Sequence, residues 1–175
     1  MIKKISISNE DRQKIESLPH DPAINEDDNF DYSKVLIKKP WGHEYLAFKN
    51  KDVALWILHI NNGFRTSLHC HPSKKTSLVV LKGEANFSTL KDVYRVKVGE
   101  GFLLDRGVFH MTEAVSPDGI LIMETETPNN KKNLVRLDDK YGREGKRYES
   151  GGLYVRERDD SFGSFHKDDE CYNCD

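Results

Sequence analysis

The segment Gly63-Phe-Arg-Thr-Ser-Leu-His69-Cys-His71 sets two histidines two residues apart behind a glycine. Strand side chains alternate between faces, so His69 and His71 share one face. Further along, Gly99-Glu-Gly-Phe-Leu-Leu-Asp105-Arg-Gly107-Val-Phe-His110 carries a third histidine out of a second glycine turn. Three imidazoles converging inside a barrel would bind a divalent ion. Neutral nitrogen donors suit zinc, iron, nickel or copper better than magnesium or calcium. Three protein ligands leave coordination positions open for water or substrate, the arrangement of a catalytic rather than a structural site.

Other residues fall into place around that constellation. Glu124 and Glu126 flank Thr125, so both face one side of a strand. If that side is the interior, one of them serves as a catalytic base or as a replacement ligand. Arg65 and Ser67 share parity with His69 and His71, which puts them at the same mouth. His59 lies in the apolar run ALWILHI and reads as a core or rim histidine. His43, next to Gly42, reads as a loop residue.

The elements that must position these side chains are short strands: Val35–Lys38, Glu44–Lys49, Val53–Ile60, Thr66–His71, Thr76–Lys82, Ala85–Leu90, Val93–Val98, Gly101–Leu104, Val108–Glu113 and Ile120–Thr125. The breaks between them (PWG, NKD, NNG, HPSKK, LKGE, KVGEG, DRG and SPDG) are turn residues, and no amphipathic segment of helix length intervenes. That rhythm predicts an all-β sandwich or closed barrel. Ahead of it, Asn9–Leu18 reads as a short helix capped by Asn9, with acids in its first turn and Pro19 behind it. The expected organisation is an N-terminal arm over 1–30, a barrel over 31–130, and a C-terminal extension over 131–175. The extension packs back through Leu134, Leu137, Tyr141 and Tyr148 and ends in a mobile tail.

The 175 residues suit one domain. A net charge of -2 offers no electrostatic case for nucleic acid or an anionic membrane. No apolar run reaches the length of a membrane span, and the N-terminus lacks a secretory apolar stretch, so the expected location is cytoplasmic. The three cysteines, Cys70, Cys171 and Cys174, are too few for a disulfide framework. The CxxC of Cys171 and Cys174 has no second pair, which makes a thiol-bearing tail the better reading than a zinc clip with His166.

The two histidine segments resemble the two cupin motifs, G-x5-HxH-x3,4-E-x6-G and G-x5-P-x-G-x2-H-x3-N. Gly63, His69, His71 and Gly83 match the first, and Gly99, Gly107 and His110 match the second. Thr76 stands where the first motif has glutamate, and Asp105 and Ala114 stand where the second has proline and asparagine. The resemblance implies a single cupin barrel (a double-stranded β-helix, jelly-roll-like) with a short N-terminal helix and an irregular C-terminal extension. It also implies one divalent metal (zinc, iron or nickel) on His69, His71 and His110, and a homodimer.

The flanks narrow the resemblance. Lys39-Pro40-Trp41-Gly42 before the barrel and Val135-Arg136-Leu137-Asp138-Asp139-Lys140-Tyr141-Gly142-Arg143 after it are similar to the type II mannose-6-phosphate isomerases, the cupin half of the bifunctional isomerase/mannose-1-phosphate guanylyltransferases. The lysine that this family carries in its second barrel strand falls on Trp56. The resemblance implies aldose–ketose isomerisation of a phosphorylated or activated sugar, with Glu124 or Glu126 as base and Arg136 and Arg143 holding the anionic end. Two alternatives stay open. One is a three-histidine ferrous dioxygenase or lyase, and the other is a non-catalytic cupin that binds a sugar or nucleotide-sugar.

Overall fold

The computed structural model describes residues 1–19 and 30–144, and the backbone of 155–157. Two sheets face each other. The larger runs in the order β1 (Ile2–Ile5), β9 (Gly101–Leu104), β6 (Lys75–Lys82), β11 (Ile120–Thr127), β4 (Ala54–Ile60), β3 (Gly42–Lys49), β2 (Val35–Lys39) and β13 (Val155–Glu157). The smaller runs β12 (Val135–Asp138), β5 (Leu68–Cys70), β10 (His110–Ala114), β7 (Glu84–Thr89) and β8 (Val93–Lys97).

Strict alternation explains why these segments form a sandwich. In β4, Ala54, Trp56, Leu58 and Ile60 are buried and the residues between them are half-exposed. In β11 the same parity buries Ile120, Ile122, Glu124 and Glu126. One strand therefore gives the interior an apolar end and a polar end. The apolar end holds Leu58, Ile60, Val80, Ile120 and Ile122, in one cluster with Phe87 and Phe102. Each such side chain contributes roughly 1.5–3 kcal/mol through its burial. Phe87 from the smaller sheet stacks on Phe102 from the larger, with centroids 3.9 Å apart.

A second, smaller core lies behind the smaller sheet. Cys70 and Phe109 point away from the sandwich interior and pack with Val135 against Ile15 and Leu18. Those last two belong to or adjoin helix α1 (Asn9–Ser17). The helix cap is Ser8 rather than the expected Asn9. Ser8 Oγ accepts from the Asp11 amide while Asp11 reaches back to the Ser8 amide, a reciprocal capping box that makes Asn9 the first helical residue.

Several boundaries differ from the sequence reading. The expected strand Thr66–His71 shortens to β5, and Val108–Glu113 becomes β10. Three strands were not read from the sequence. β1 pairs in parallel with β9, β12 pairs with β5, and β13 pairs with β2. Val135–Asp138, expected in an irregular extension, is therefore an edge strand of the smaller sheet. Each of these strands has four residues or fewer, too short for alternation to stand out. Tyr148, His166, Cys171, Cys174 and the expected mobile tail lie outside the described residues. No described helix is long and apolar enough to cross a membrane.

Gly42 marks the closest backbone approach near the cleft. Its φ is +143°, and a Cβ there would sit 2.1 Å from the His59 carbonyl oxygen on the neighbouring strand. Gly42→Ala is expected to destabilise the fold by about 1–3 kcal/mol, read from urea denaturation. An unchanged midpoint would mean that the β3–β4 pairing yields freely.

Candidate metal centre

β5 and β10 are antiparallel neighbours, and His110 stands directly opposite His69 in their register. His71 follows β5 by one residue. The three rings therefore converge: centroids are 4.4 Å apart for His69 and His110, 5.0 Å for His69 and His71, and 5.5 Å for His71 and His110. Their ligating nitrogens lie within 4.8 Å of one another, and all three residues are buried.

Hydrogen bonds fix which nitrogen faces the centre. His69 Nδ1 donates to the Ser67 carbonyl at 2.8 Å, His71 Nδ1 to the Asn133 carbonyl at 2.6 Å, and His110 Nδ1 to the Val108 carbonyl at 3.0 Å. A carbonyl only accepts, so each Nδ1 carries the proton and each Nε2 keeps its lone pair. Burial holds the rings neutral. It drives His69 and His71 well below the usual histidine range, reinforced by His110 and Lys74 respectively, and lowers His110 to about 4. The test of fit is His71 Nε2, which is buried with no hydrogen-bond partner. An orphaned buried polar atom costs about 1–3 kcal/mol. A divalent ion on the three Nε2 atoms would remove that penalty, and the donor set suits one.

A carboxylate pair adjoins the histidines. Glu124 Oε1 lies 3.8 Å from His71 Nε2. Glu124 and Glu126 form a second potential ligand set that shares only His71 with the first. The carboxylates thus stand beside the three-histidine set. Burial, then repulsion from Glu126, raises Glu124 to about 7. Glu126 is committed differently: Lys74 Nζ donates to its Oε1 at 2.6 Å, and both side chains are almost fully buried. Thr76, in the position of the cupin glutamate, pairs across the sheet with Glu126. Its hydroxyl is buried with no hydrogen-bond partner.

A cleft opens in front of these groups. Its lining joins Ser67, His69, His71, Glu124 and Glu126 to the charged side chains of Lys39, Glu44, Lys131, Arg136 and Arg143. Glu44 lies between two lysines, 3.4 Å from Lys39 Nζ and 3.1 Å from Lys131 Nζ. Burial lowers Lys39 to about 7, and Lys131, Arg136 and Arg143 add to the shift against the pull of Glu44. Burial opposes the charge on Lys131, but Glu44, Glu126 and Glu124 outweigh it and raise its pKa. Lys131 Nζ also sits 3.7 Å over the ring of Trp56, a cation–π contact.

Arg65 departs from its expected place. Regular β5 begins only at Leu68, and Arg65 makes an isolated bridge with Glu113, so alternation does not carry through to it. Its guanidinium is outside the cleft, 3.2 Å from Asp138. Ser67 lines the cleft and contacts His69 Nδ1 at 3.3 Å. Arg143 is held by a two-pronged contact with Asp139 at 2.8 Å for each prong. His59 and His43 form a tilted ring pair across β3 and β4, with centroids 4.8 Å apart, and neither lines the cleft. Glu44, Lys74, Lys131 and Asn133 were not singled out from the sequence. Lys74 and Lys131 sit in turn-like HPSKK and NNKK, where a buried lysine looks like an exposed one.

Comparison with known proteins comes down to structure. No sequence-family model matches the chain, and no curated protein matches it in sequence. A double-stranded β-helix protein from Klebsiella pneumoniae subsp. pneumoniae MGH 78578 aligns over 70% of this chain and 99% of its own, at 15% identity and a TM-score of 0.50. Oxalate decarboxylase from Lactobacillus farciminis, as its formate complex, aligns over 59% of this chain and 33% of its own, at 13% identity and a TM-score of 0.53. The fold is that of the cupins. At such identities the likeness speaks for the cupin fold alone, and function must be argued from the site.

The neutral rings make metal-free protein sensitive to acid. Each histidine has a folded pKa below its unfolded value of 6.5. The unfolded chain therefore binds more protons as pH falls below about 6.5, and stability drops down to about 4 for His110. Glu124, raised from 4.5 to about 7, has the opposite sign and gains stability over the same descent. Three groups oppose one, so a net loss is expected. Urea midpoints of EDTA-treated protein at pH 7.5 and 5 check it, and a higher midpoint at pH 5 would refute it.

Proposed function

We propose that this cupin is a metal-dependent sugar-phosphate isomerase that interconverts an aldose and a ketose. The observation that carries the reading is Glu124. It is a buried carboxyl with a pKa near 7, beside a three-histidine set and facing a cleft with a cationic wall. A base with a pKa close to neutral pH can both take and return a proton.

His69, His71 and His110 would hold the divalent ion. It would supply Lewis-acid polarisation of the open-chain sugar's oxygens. Glu124 removes the C2 proton of the aldose and returns it to C1, while the O2 hydroxyl proton passes to O1. Glu126 carries the negative charge that offsets Lys74 and keeps its ammonium from pulling the Glu124 pKa down. Arg136 and Lys39 receive the phosphate, and Arg143, braced by Asp139, completes the cationic wall.

The test is conversion of mannose-6-phosphate to fructose-6-phosphate by protein reconstituted with zinc, iron or nickel. Activity lost in His71→Ala supports the reading. Its absence with every metal, in protein that retains metal, refutes it. The threonine at the cupin glutamate position favours a second reading, a neutral three-histidine ferrous site for dioxygen or lyase chemistry. Iron in the purified protein together with oxygen uptake would select that reading.

A further inference from the structure

The Val108–Phe109 peptide, immediately before His110, is engaged at both ends. Its N–H donates to Asp11 Oδ1 at 3.0 Å, and its C=O accepts from His110 Nδ1 at 3.0 Å. Asp11 is almost fully buried, at 4% exposure, and its other oxygen, Oδ2, accepts from the Ser8 amide at 2.8 Å and the Ser8 hydroxyl at 2.6 Å. A carboxylate from the N-terminal helix is thus tied through one peptide unit to a ring of the metal centre. Hydrogen bonds in such a chain polarise and strengthen one another.

We propose that Asp11 is a positioning residue for the metal centre, acting on His110 through the Val108–Phe109 peptide. The carboxylate polarises the peptide, the strengthened carbonyl grips Nδ1–H, and Nε2 is held toward His69 and His71. A carboxylate bonded directly to a ligating imidazole fixes its tautomer and raises its basicity. Here one peptide unit transmits the same pull. The neighbouring contacts serve the same turn. The Asp105 amide donates to the Ile5 carbonyl at 3.0 Å, and Ile7 and Ile15 close over Gly107, 2.8 Å from where a Cβ would stand. The peptide whose carbonyl takes His71 Nδ1 has no carboxylate on its N–H. That amide, of Leu134, donates to the Lys132 carbonyl at 2.8 Å.

The inference rests on the three-histidine reading of the metal site and is tested without any turnover assay. EDTA-stripped full-length protein is titrated with cobalt(II), following both affinity and the visible d–d bands. Asp11→Ala is expected to weaken cobalt binding by about tenfold or more and to shift the bands. Asp11→Asn keeps an acceptor for the Phe109 amide and is expected to recover part of the affinity. Ser8→Ala removes the helix cap but leaves Asp11 Oδ1 in place. It is expected to melt earlier yet bind cobalt like the parent.

If Asp11→Ala does not fold, Asp11→Asn against Ser8→Ala decides, since only the former alters the peptide's acceptor. Parent-like affinity and spectrum in Asp11→Ala would overturn the inference, as would an equal loss in Ser8→Ala. If the parent chain itself takes up no cobalt, the three-histidine reading falls and this inference falls with it. If the parent binds and Asp11→Ala matches it, only this inference fails.

Discussion

Glu124→Gln is expected to lower kcat for isomerisation by about 10²–10⁴-fold, with KM and bound metal near the parent values. The exchange is nearly isosteric and keeps a polar group beside His71, so packing and substrate contacts persist. It removes the only property the mechanism needs at that atom, a lone pair able to carry a proton between C1 and C2. Glu124 stands outside the set in which the three histidines meet, which is why the metal should stay. Steady-state kinetics with elemental analysis of the same sample separates the effects. An unchanged kcat removes Glu124 as the base, and a loss of metal in step with activity would make it a ligand instead.

Lys74→Met is expected to destabilise the protein by about 3–5 kcal/mol, the usual cost of leaving one member of a buried ion pair uncompensated. Lys74 and Glu126 have side-chain exposures of 0% and 2% and are 2.6 Å apart. Water cannot replace the lost ammonium. Lys74→Met/Glu126→Leu should recover most of the stability, because the pair is then removed as a unit. Urea denaturation of the four proteins in the double-mutant cycle gives the coupling. A single Lys74→Met as stable as the parent would show that Glu126 finds its charge partner elsewhere, Lys131, which already feels its charge, being one candidate.

The histidine spacing was legible because it rests on the shortest-range rule of strands, alternation over two residues, and on glycines that turn the chain into them. Glu124 and Glu126 were legible by the same rule: β11 keeps one parity from Ile120 to Glu126, so the apolar half announces where the acidic half points. Arg65 failed by that rule, because the strand starts later than the pattern suggested. Lys74, Lys131 and Glu44 were hidden for a different reason. Their burial depends on partners far along the chain, and nothing local distinguishes a lysine that meets Glu126 across 52 positions from one that meets solvent. β1 and β12 escaped because a four-residue strand owes its existence to the neighbour it pairs with.

The centre straddles the two halves of the sandwich. His69, His71 and His110 ride on or beside strands of the five-stranded sheet, while Glu124, Glu126, Glu44 and Lys39 ride on the eight-stranded one. Occupancy of the site is then a property of one layer, and proton transfer is a property of the gap between layers. Trimming a residue that sets that gap, such as Phe102 beneath its stacked partner Phe87, should leave ion uptake intact and blunt turnover. A fold loosening with temperature would for the same reason fall silent before it sheds its ion.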